Sequence, residues 1–287
     1  PGDRERMASA IEKVRGEAGR TYPIIIDGRK VETGAWIDVR PPAHPSELLG
    51  RVARGGKDEA EGAVAAAKAA FPAWRDTHGG ERATVLRRAA GIMAERRFEL
   101  AAVEVFESAK PWREADGDIT EAIDFLRYYA LQAEDLAAGE VLSVVPGETN
   151  RLIDVGRGVA AIISPWNVPL AIITGMAAGA LAGGCAVVLK PAEQSPIIAS
   201  HLASILAEAG VPPGVVNYCP GPGSVVGETL VTHPDVAMVA FTGSNAVGTH
   251  IYGQAARVVP GQPVLKRVIA ELGGKNAIIV DDDADLD

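Results

Sequence analysis

Four short segments combine side chains that could bind a ligand, stabilise an oxyanion or move a proton. They are Ser164-Pro165-Trp166-Asn167, Lys190-Pro191-Ala192-Glu193, Phe241-Thr242-Gly243-Ser244 and Glu271-Leu272-Gly273-Gly274-Lys275. The amide of Asn167 can donate to an oxyanion without carrying charge. A lysine and a carboxylate directly after a strand, as at Lys190 and Glu193, can hydrogen-bond ribose hydroxyls. Partial burial of Glu271 between apolar neighbours would raise its pKa, which suits a general base.

Each of these residues also has a simpler interpretation. Asn167 could form an Asx turn or cap the helix that follows it. Lys190 and Glu193 could belong to a solvated charged loop, and Glu271 could be an exposed acid at a strand end. Trp166 could pack in the core or form a wall of a ribose pocket. Taken singly, none of the four segments assigns a function.

The glycine-rich loops are weak signals. The usual dinucleotide fingerprint, Gly-x-Gly-x-x-Gly, is absent, and the nearest loops are Gly221-Pro222-Gly223 with Gly227 and Gly243-Ser244 with Gly248. Each loop follows a predicted strand and opens a predicted helix, so its N–H groups could face a pyrophosphate. The alternative is that the glycines serve only tight strand-to-helix turns.

The elements that must position these segments alternate between strand and helix from residue 158 onward. Apolar runs predict strands at 159–163, 186–189, 215–218, 236–241 and 268–272, and helical patterns fall at about 169–183, 195–209, 224–232 and 245–257. Continuous apolar strands alternating with helices indicate a doubly wound, Rossmann-like parallel sheet. Such sheets bind ligands at the carboxyl ends of their strands, where all four segments lie.

The N-terminal part shows a different order of predicted strands and helices. Strand-prone runs at 22–27 and 36–40 flank a predicted turn at 28–30, which suggests a β-hairpin. Three amphipathic helices are predicted at about 60–74, 81–108 and 118–137, followed by an extended segment at about 140–156. The most apolar stretch, 168–186, is rich in Gly and Ala and leads into a strand, so we interpret it as a buried helix and not a membrane span.

Composition narrows the class of protein further. The 287 residues carry a formal net charge of -9 without a basic cluster, which argues against a nucleic-acid partner. Two cysteines and a polar N-terminus without an apolar leader favour a cytoplasmic location. We expect neither a membrane segment nor a metal site.

Together and in this order, the four segments resemble the signature of the aldehyde dehydrogenase superfamily. The resemblance implies NAD(P)-dependent oxidation of an aldehyde to a carboxylate, with a cysteine thiolate as nucleophile. It assigns Asn167 to the oxyanion and Glu271 to activation of the hydrolytic water. It implies that the following residues contact the cofactor: Ser164, Pro165, Trp166, Lys190, Ala192, Glu193, Gly223, Gly227, Phe241, Thr242, Gly243, Ser244, Val247 and Leu272. If Glu193 faces the adenosine 2′-hydroxyl, NAD is favoured over NADP.

The resemblance also implies a division of the chain into four parts. Residues 1–139 correspond to the N-terminal part of the NAD-binding domain and 157–271 to its Rossmann-like core. Residues 140–156 resemble the oligomerisation flap of the family, which implies a homo-oligomer. Residues 272–287 resemble the opening of the catalytic domain.

A narrower resemblance concerns the substrate. Phe71–Arg75, Lys110–Asp116 and the Leu265–Glu271 run resemble L-glutamate γ-semialdehyde dehydrogenases, also called Δ1-pyrroline-5-carboxylate dehydrogenases, of proline degradation. Glu121 matches an acidic position near their aldehyde site, and Phe125 lies one helical turn further. The alternative is an ordinary amphipathic helix with Glu121 in solvent.

The nucleophile of that reaction is not among the residues after the glutamate. The chain has two cysteines, Cys185 and Cys219, and both precede Glu271. We predict structural roles for both, and we expect that the chain is interrupted before the nucleophile and does not catalyse alone. Two alternatives stay open: an aldehyde dehydrogenase fragment with another substrate, and a non-catalytic NAD-binding module.

Overall fold

A seven-stranded mixed sheet forms the centre of the computed structural model, which describes residues 2–285. Its strands run in the order β12 (Arg267–Glu271), β11 (Val236–Thr242), β8 (Val159–Ile163), β9 (Ala186–Lys190), β10 (Val216–Tyr218), β2 (Ile24–Ile26) and β3 (Arg29–Val31). The first five are parallel, as predicted, and β8 and β9 are buried at every residue. Their continuous apolar sequence follows from helices covering both faces of the sheet.

The predicted hairpin pairs differently from expectation. Strands β2 and β3 join through a tight turn at Asp27 and Gly28, both with positive φ, so Arg29 and Lys30 lie in a strand and not in the turn. β2 then adds antiparallel to β10. The run near residue 36 belongs to a separate three-stranded sheet, whose strands are β1 (Arg20–Tyr22), β5 (Gly50–Ala53) and β4 (Trp36–Val39).

A layer of helices precedes the parallel strands. It consists of α1 (Asp3–Gly16), α2 (Lys57–Asp76), α3 (Gly79–Glu95), α4 (Arg97–Ser108) and α5 (Trp112–Ala138). The prediction of one helix over 81–108 is wrong, because Arg96 leaves helical geometry at φ -96° and ψ 11° and separates α3 from α4. The sequence analysis did not predict α1, which buries Met7, Ala10, Ile11 and Val14 in the main core.

Four helical segments follow the parallel strands. They are α6 (Ala171–Ala182), α7 (Pro196–Glu208), a π-helix (Gly223–Gly227) that continues into α8 (Glu228–Thr232), and α9 (Asn245–Ala255). Helix α6 is buried against α5, as predicted for the most apolar stretch. Across residues 2–285, none of the helices combines the length and the apolar character needed to cross a membrane.

The extended segment at 140–156 forms an antiparallel pair, β6 (Glu140–Ser143) and β7 (Asn150–Leu152). Its apolar side chains are unusually exposed, with Val144 at 90% and Val155 at 72%. Its proposed role in oligomerisation stays a prediction, as does the division of the chain into four parts. Residues 1, 286 and 287 of those predicted domains lie outside the described part of the chain.

Candidate functional site

The carboxyl ends of β8, β9, β11 and β12 open into one cleft of about 1110 Å³. Both predicted catalytic residues and every predicted cofactor residue line it: Ser164, Pro165, Trp166, Asn167, Lys190, Ala192, Glu193, Gly223, Gly227, Phe241, Thr242, Gly243, Ser244, Val247, Glu271 and Leu272. The fold therefore brings together four segments that span more than a hundred residues of sequence.

The loop after β8 presents unpaired polar groups to this cleft. Ser164 is buried, and its Oγ has no hydrogen-bond partner within residues 2–285. Trp166 is 54% exposed, so it is a cleft wall and not core packing. The side chain of Asn167 makes no hydrogen bond in the described part of the chain, and α6 begins only at Ala171. Asn167 is therefore neither an Asx turn nor a helix cap, and its amide is free to bind a ligand.

Lys190 ends β9 at the floor of the cleft with only 5% of its surface exposed. Burial lowers the pKa of its ammonium, and the nearby Glu193 carboxylate partly opposes that shift. The Lys190 ammonium has no ion-pair or hydrogen-bond partner among the described residues, which is costly for a buried charge. This excludes the solvated-loop interpretation for Lys190 and leaves a donor for a ligand hydroxyl.

Glu193 and the π-helix meet across the cleft. A carboxylate oxygen of Glu193 accepts a long hydrogen bond, 3.4 Å, from the backbone N–H of Gly223. The glycines of that loop have distinct roles. A Cβ at Gly221 would lie 2.6 Å from the Gly55 oxygen, so Gly221 serves close packing, whereas Gly223 and Gly227 line the cleft with open space at their Cβ positions.

The last two segments lie on neighbouring strands. Thr242 of β11 is directly opposite Glu271 of β12. The Ser244 hydroxyl caps α9 by accepting from the Val247 N–H at 3.4 Å. A Cβ at Gly248 would lie 2.4 Å from the end of the Leu272 side chain, so this glycine allows α9 to pack closely against Leu272.

Of the two interpretations of Glu271, the structure supports the exposed acid at a strand end. Its side chain is exposed, because β12 forms an edge of the sheet and most of its residues face solvent. Its apolar neighbours in sequence therefore do not enclose it. Glu271 nevertheless lines the cleft, where it can reach water and a ligand at once.

The two predicted substrate residues lie away from the lining of the cleft. Glu121 is exposed on α5. Phe125, one turn further, is half-buried, stacks on Tyr129 with ring centroids 6.3 Å apart, and fills the space over Gly175 of α6. The exposure of Glu121 is that of an ordinary amphipathic helix, so its role in substrate binding stays a prediction.

Both cysteines are buried, unpaired and outside the lining of the cleft. The Cys185 sulfur accepts from the backbone N–H of Arg157 at 3.3 Å. Burial raises the pKa of the Cys219 thiol to about 12, which suppresses the thiolate. Neither thiol is placed to act as a nucleophile in the cleft.

Sequence reasoning missed part of the lining. His250 and Glu228 face each other from α9 and α8 with a 2.8 Å contact between Nε2 and a carboxylate oxygen, and both border the cleft beside Ser224. His250 lies three residues after Val247 on one helix, so helical periodicity from Val247 could have identified it. Glu228 directly follows the π-helix, whose turn is wider than that of an α-helix. The α-helical spacing therefore does not predict that Glu228 faces the cleft.

Comparisons of the sequence and of the structure with known proteins agree on one family. Residues 29–287 match the aldehyde dehydrogenase family model. The 1-pyrroline-5-carboxylate dehydrogenase of Geobacillus thermodenitrificans is 49% identical over 285 residues, covering 99% of this chain and 55% of the relative. The crystal structure of proline utilization A from Bdellovibrio bacteriovorus superposes with a TM-score of 0.97 at 44% identity, covering 99% of this chain and 30% of that one. A Thermus 1-pyrroline-5-carboxylate dehydrogenase with bound NAD gives a TM-score of 0.92 at 44% identity, covering 95% and 53%.

Proposed function

The chain belongs to the aldehyde dehydrogenase family, and from that membership we propose that it forms the NAD-binding part of an enzyme that oxidises L-glutamate γ-semialdehyde to L-glutamate in proline degradation. The chain spans about half the length of the curated relatives it matches. The observation that carries the proposal is the convergence of all four predicted segments on one cleft.

The residues present fit a dinucleotide. The unpaired Lys190 ammonium and the Glu193 carboxylate suit a ribose diol, and the unpartnered Ser164 hydroxyl lies beside them in the same lining. The π-helix and α9 both begin at the cleft, and helix N-termini suit a pyrophosphate. Phe241, Val247 and Leu272 supply apolar walls. Bound NAD would supply the hydride acceptor.

Two polar side chains of the cleft would carry the catalytic roles. The Asn167 amide would donate to the oxygen of an aldehyde as it becomes an oxyanion. Glu271, exposed and bordering the cleft, would accept a proton from the water that hydrolyses an acyl intermediate. The thiolate that such an intermediate requires is supplied by neither Cys185 nor Cys219, so we propose that this chain alone does not turn over.

Two further parts of the proposal rest on resemblance, and a third rests on the cysteines. Glu121 and Phe125 would contact the aldehyde substrate. The β6–β7 pair would mediate homo-oligomerisation, which its exposed apolar side chains support. A cytoplasmic location is supported by the two unpaired, buried thiols.

Calorimetric titration of NAD into the purified chain tests the proposal. We expect saturable binding that Lys190→Met weakens by about tenfold, since it removes a buried donor to the ribose. Lys68→Met is the matched control, because Lys68 pairs with Asp235 at the surface away from the cleft. Absence of NAD binding by well-folded protein would refute the cofactor assignment. NADH production from glutamate γ-semialdehyde by this chain would refute the argument about the cysteines.

A further inference from the structure

Two helices that follow cleft loops begin without a cap of their own. Helix α6 starts after Leu170, whose side chain has no acceptor, and α7 starts after Ser195, whose buried Oγ makes no hydrogen bond in residues 2–285. The first N–H groups of a helix have no partner within it and require acceptors from elsewhere when they are buried.

The acceptors come from the neighbouring helical layer. Glu107 of α4 accepts from the Ile197 N–H at 2.6 Å and from the Ile198 N–H at 2.9 Å, one with each carboxyl oxygen. Asp118 of α5 accepts from the Ala171 N–H at 2.6 Å. Both acids are almost fully buried, with exposures of 2% and 3%.

The two carboxyl groups are held differently. The second oxygen of Asp118 accepts from the Lys110 ammonium at 2.5 Å, and that ammonium lies 3.4 Å from Glu104. Glu107 has no cationic partner in the described part of the chain. Burial raises the pKa of Glu107 to about 8, and the hydrogen bonds from the two N–H groups oppose that rise.

These contacts fix the starting points of the helices that end the two cleft loops. The loop before α6 carries Trp166 and Asn167, and the loop before α7 carries Ala192 and Glu193. In each case the strand end fixes one side of the loop and the buried acid fixes the other.

We propose that Glu107 and Asp118 are positioning residues for the cofactor cleft: each anchors, from outside the sheet, the helix that follows one of its two loops. The proposal rests on the proposed function, because it assigns these loops to NAD. It gives a role in ligand binding to two acids that do not touch the ligand.

The test compares full truncation with conservative replacement. Asp118→Ala and Glu107→Ala remove the acceptors, whereas Asp118→Asn and Glu107→Gln keep one oxygen that can still accept from the helix. We expect the alanine variants to weaken NAD binding by about tenfold and the amide variants to restore most of the affinity. Binding is measured by calorimetry at a temperature at which circular dichroism shows every variant folded.

A second measurement needs no NAD. In proton–nitrogen NMR spectra of the free protein, Asp118→Ala should shift the indole N–H resonance of Trp166, which Trp166→Phe assigns. Glu107→Ala should shift the backbone N–H resonance of Glu193, which lies in the loop before α7. If an alanine variant does not fold, the same resonances are followed in its amide counterpart, with a smaller shift expected.

Three controls separate positioning from general destabilisation. Asp124→Asn on α5 and Glu99→Gln on α4 alter acids that pair with Arg127 and Lys13 at the surface. Leu86→Ala empties a core position and lowers stability without touching either loop. Wild-type affinity and unchanged loop resonances in the folded Glu107 and Asp118 variants would overturn the proposal. If the wild-type chain binds no NAD, the cofactor assignment fails, while the resonance shifts still decide the positioning.

Discussion

The amide of Gly243 donates a hydrogen bond of 3.1 Å to the backbone oxygen of Glu271. This bond extends the parallel register of β11 and β12 by one residue beyond Thr242, to the point where both chains enter the cleft. The two segments are therefore joined where they enter the cleft. A change in the packing of either one is expected to alter ligand binding at the other.

Gly248→Ala tests that coupling. The added Cβ would collide with the end of the Leu272 side chain and lie 3.2 Å from the Phe241 ring, so Leu272 must shift within the cleft. Because a flexible side-chain end can rotate, we expect a small loss of stability but NAD binding weakened by about tenfold. Calorimetric titration and thermal unfolding measure the two effects separately.

Gly253→Ala is the matched control on the same helix. Nothing lies within 4 Å of its Cβ position, and replacing a helical glycine stabilises by about 0.5–1 kcal/mol. Its NAD affinity should equal that of the wild type. Equal affinities in the Gly248 and Gly253 variants would contradict the coupling.

Glu104→Gln should flatten the decline of stability with rising pH. Burial, together with the nearby Asp118 charge, raises the pKa of Glu104 to about 10, whereas an unfolded glutamate has a pKa of about 4.3. The folded state therefore holds a proton that the unfolded state has lost. The stabilisation from this proton is complete below about pH 4.3. As the pH rises towards 10 it is lost, and the free energy of unfolding falls by up to about 1.4 kcal/mol per pH unit.

Urea unfolding at pH 6, 7.5 and 9 measures this dependence. The glutamine variant should gain stability relative to the wild type at each step, because its side chain does not titrate. Glu99→Gln on the same helix is the control, since Glu99 pairs with Lys13 at the surface. Parallel pH profiles for Glu104→Gln and the wild type would refute the assignment.

Neither cysteine should react in the native protein. Cys185 and Cys219 are buried, and the raised pKa of Cys219 keeps it as a thiol at pH 8. With a chromogenic disulfide reagent we expect no rapid reaction in buffer and two thiols after unfolding in guanidinium chloride. A native thiol that reacts at the rate of free cysteine would contradict the prediction that neither cysteine is a nucleophile.

Asn217→Ala should be strongly destabilising. The fully buried amide of Asn217 accepts from the Asp27 N–H at 3.0 Å and donates to the Gly214 oxygen at 2.7 Å. Truncation leaves both groups unsatisfied, at a cost of roughly 2–4 kcal/mol measured as a lower urea midpoint. Asn150→Ala is the control, since that amide bonds only Glu148 at the surface, and a comparable loss there would contradict the explanation.

The sequence predicted most reliably what is encoded locally. The run at Val159–Ile163 has the observed bounds of β8, because a strand buried on both faces must be apolar throughout. The cleft could be predicted because parallel strands present their carboxyl ends at one edge of the sheet. The family membership of the chain is confirmed by comparison.

What sequence could not supply depends on partners distant along the chain. The apolar neighbours of Glu271 left open whether it is buried or exposed, and only its place on the edge strand β12 decides for exposure. The caps from Glu107 and Asp118 join residues 90 and 53 positions apart, for which no local pattern exists. The break at Arg96 interrupts a helical periodicity that continues on both sides of it.

The edge hairpin has a consequence for the order of assembly. Asp27 and Asn217, 190 positions apart, bond where β2 meets β10. On the ribosome, β2 would therefore wait for about 190 further residues to be synthesised before it can pair with β10. Contacts of such long sequence separation slow folding and leave strand edges open to misassembly. The hairpin thus leaves the ribosome well before the strand with which it must pair.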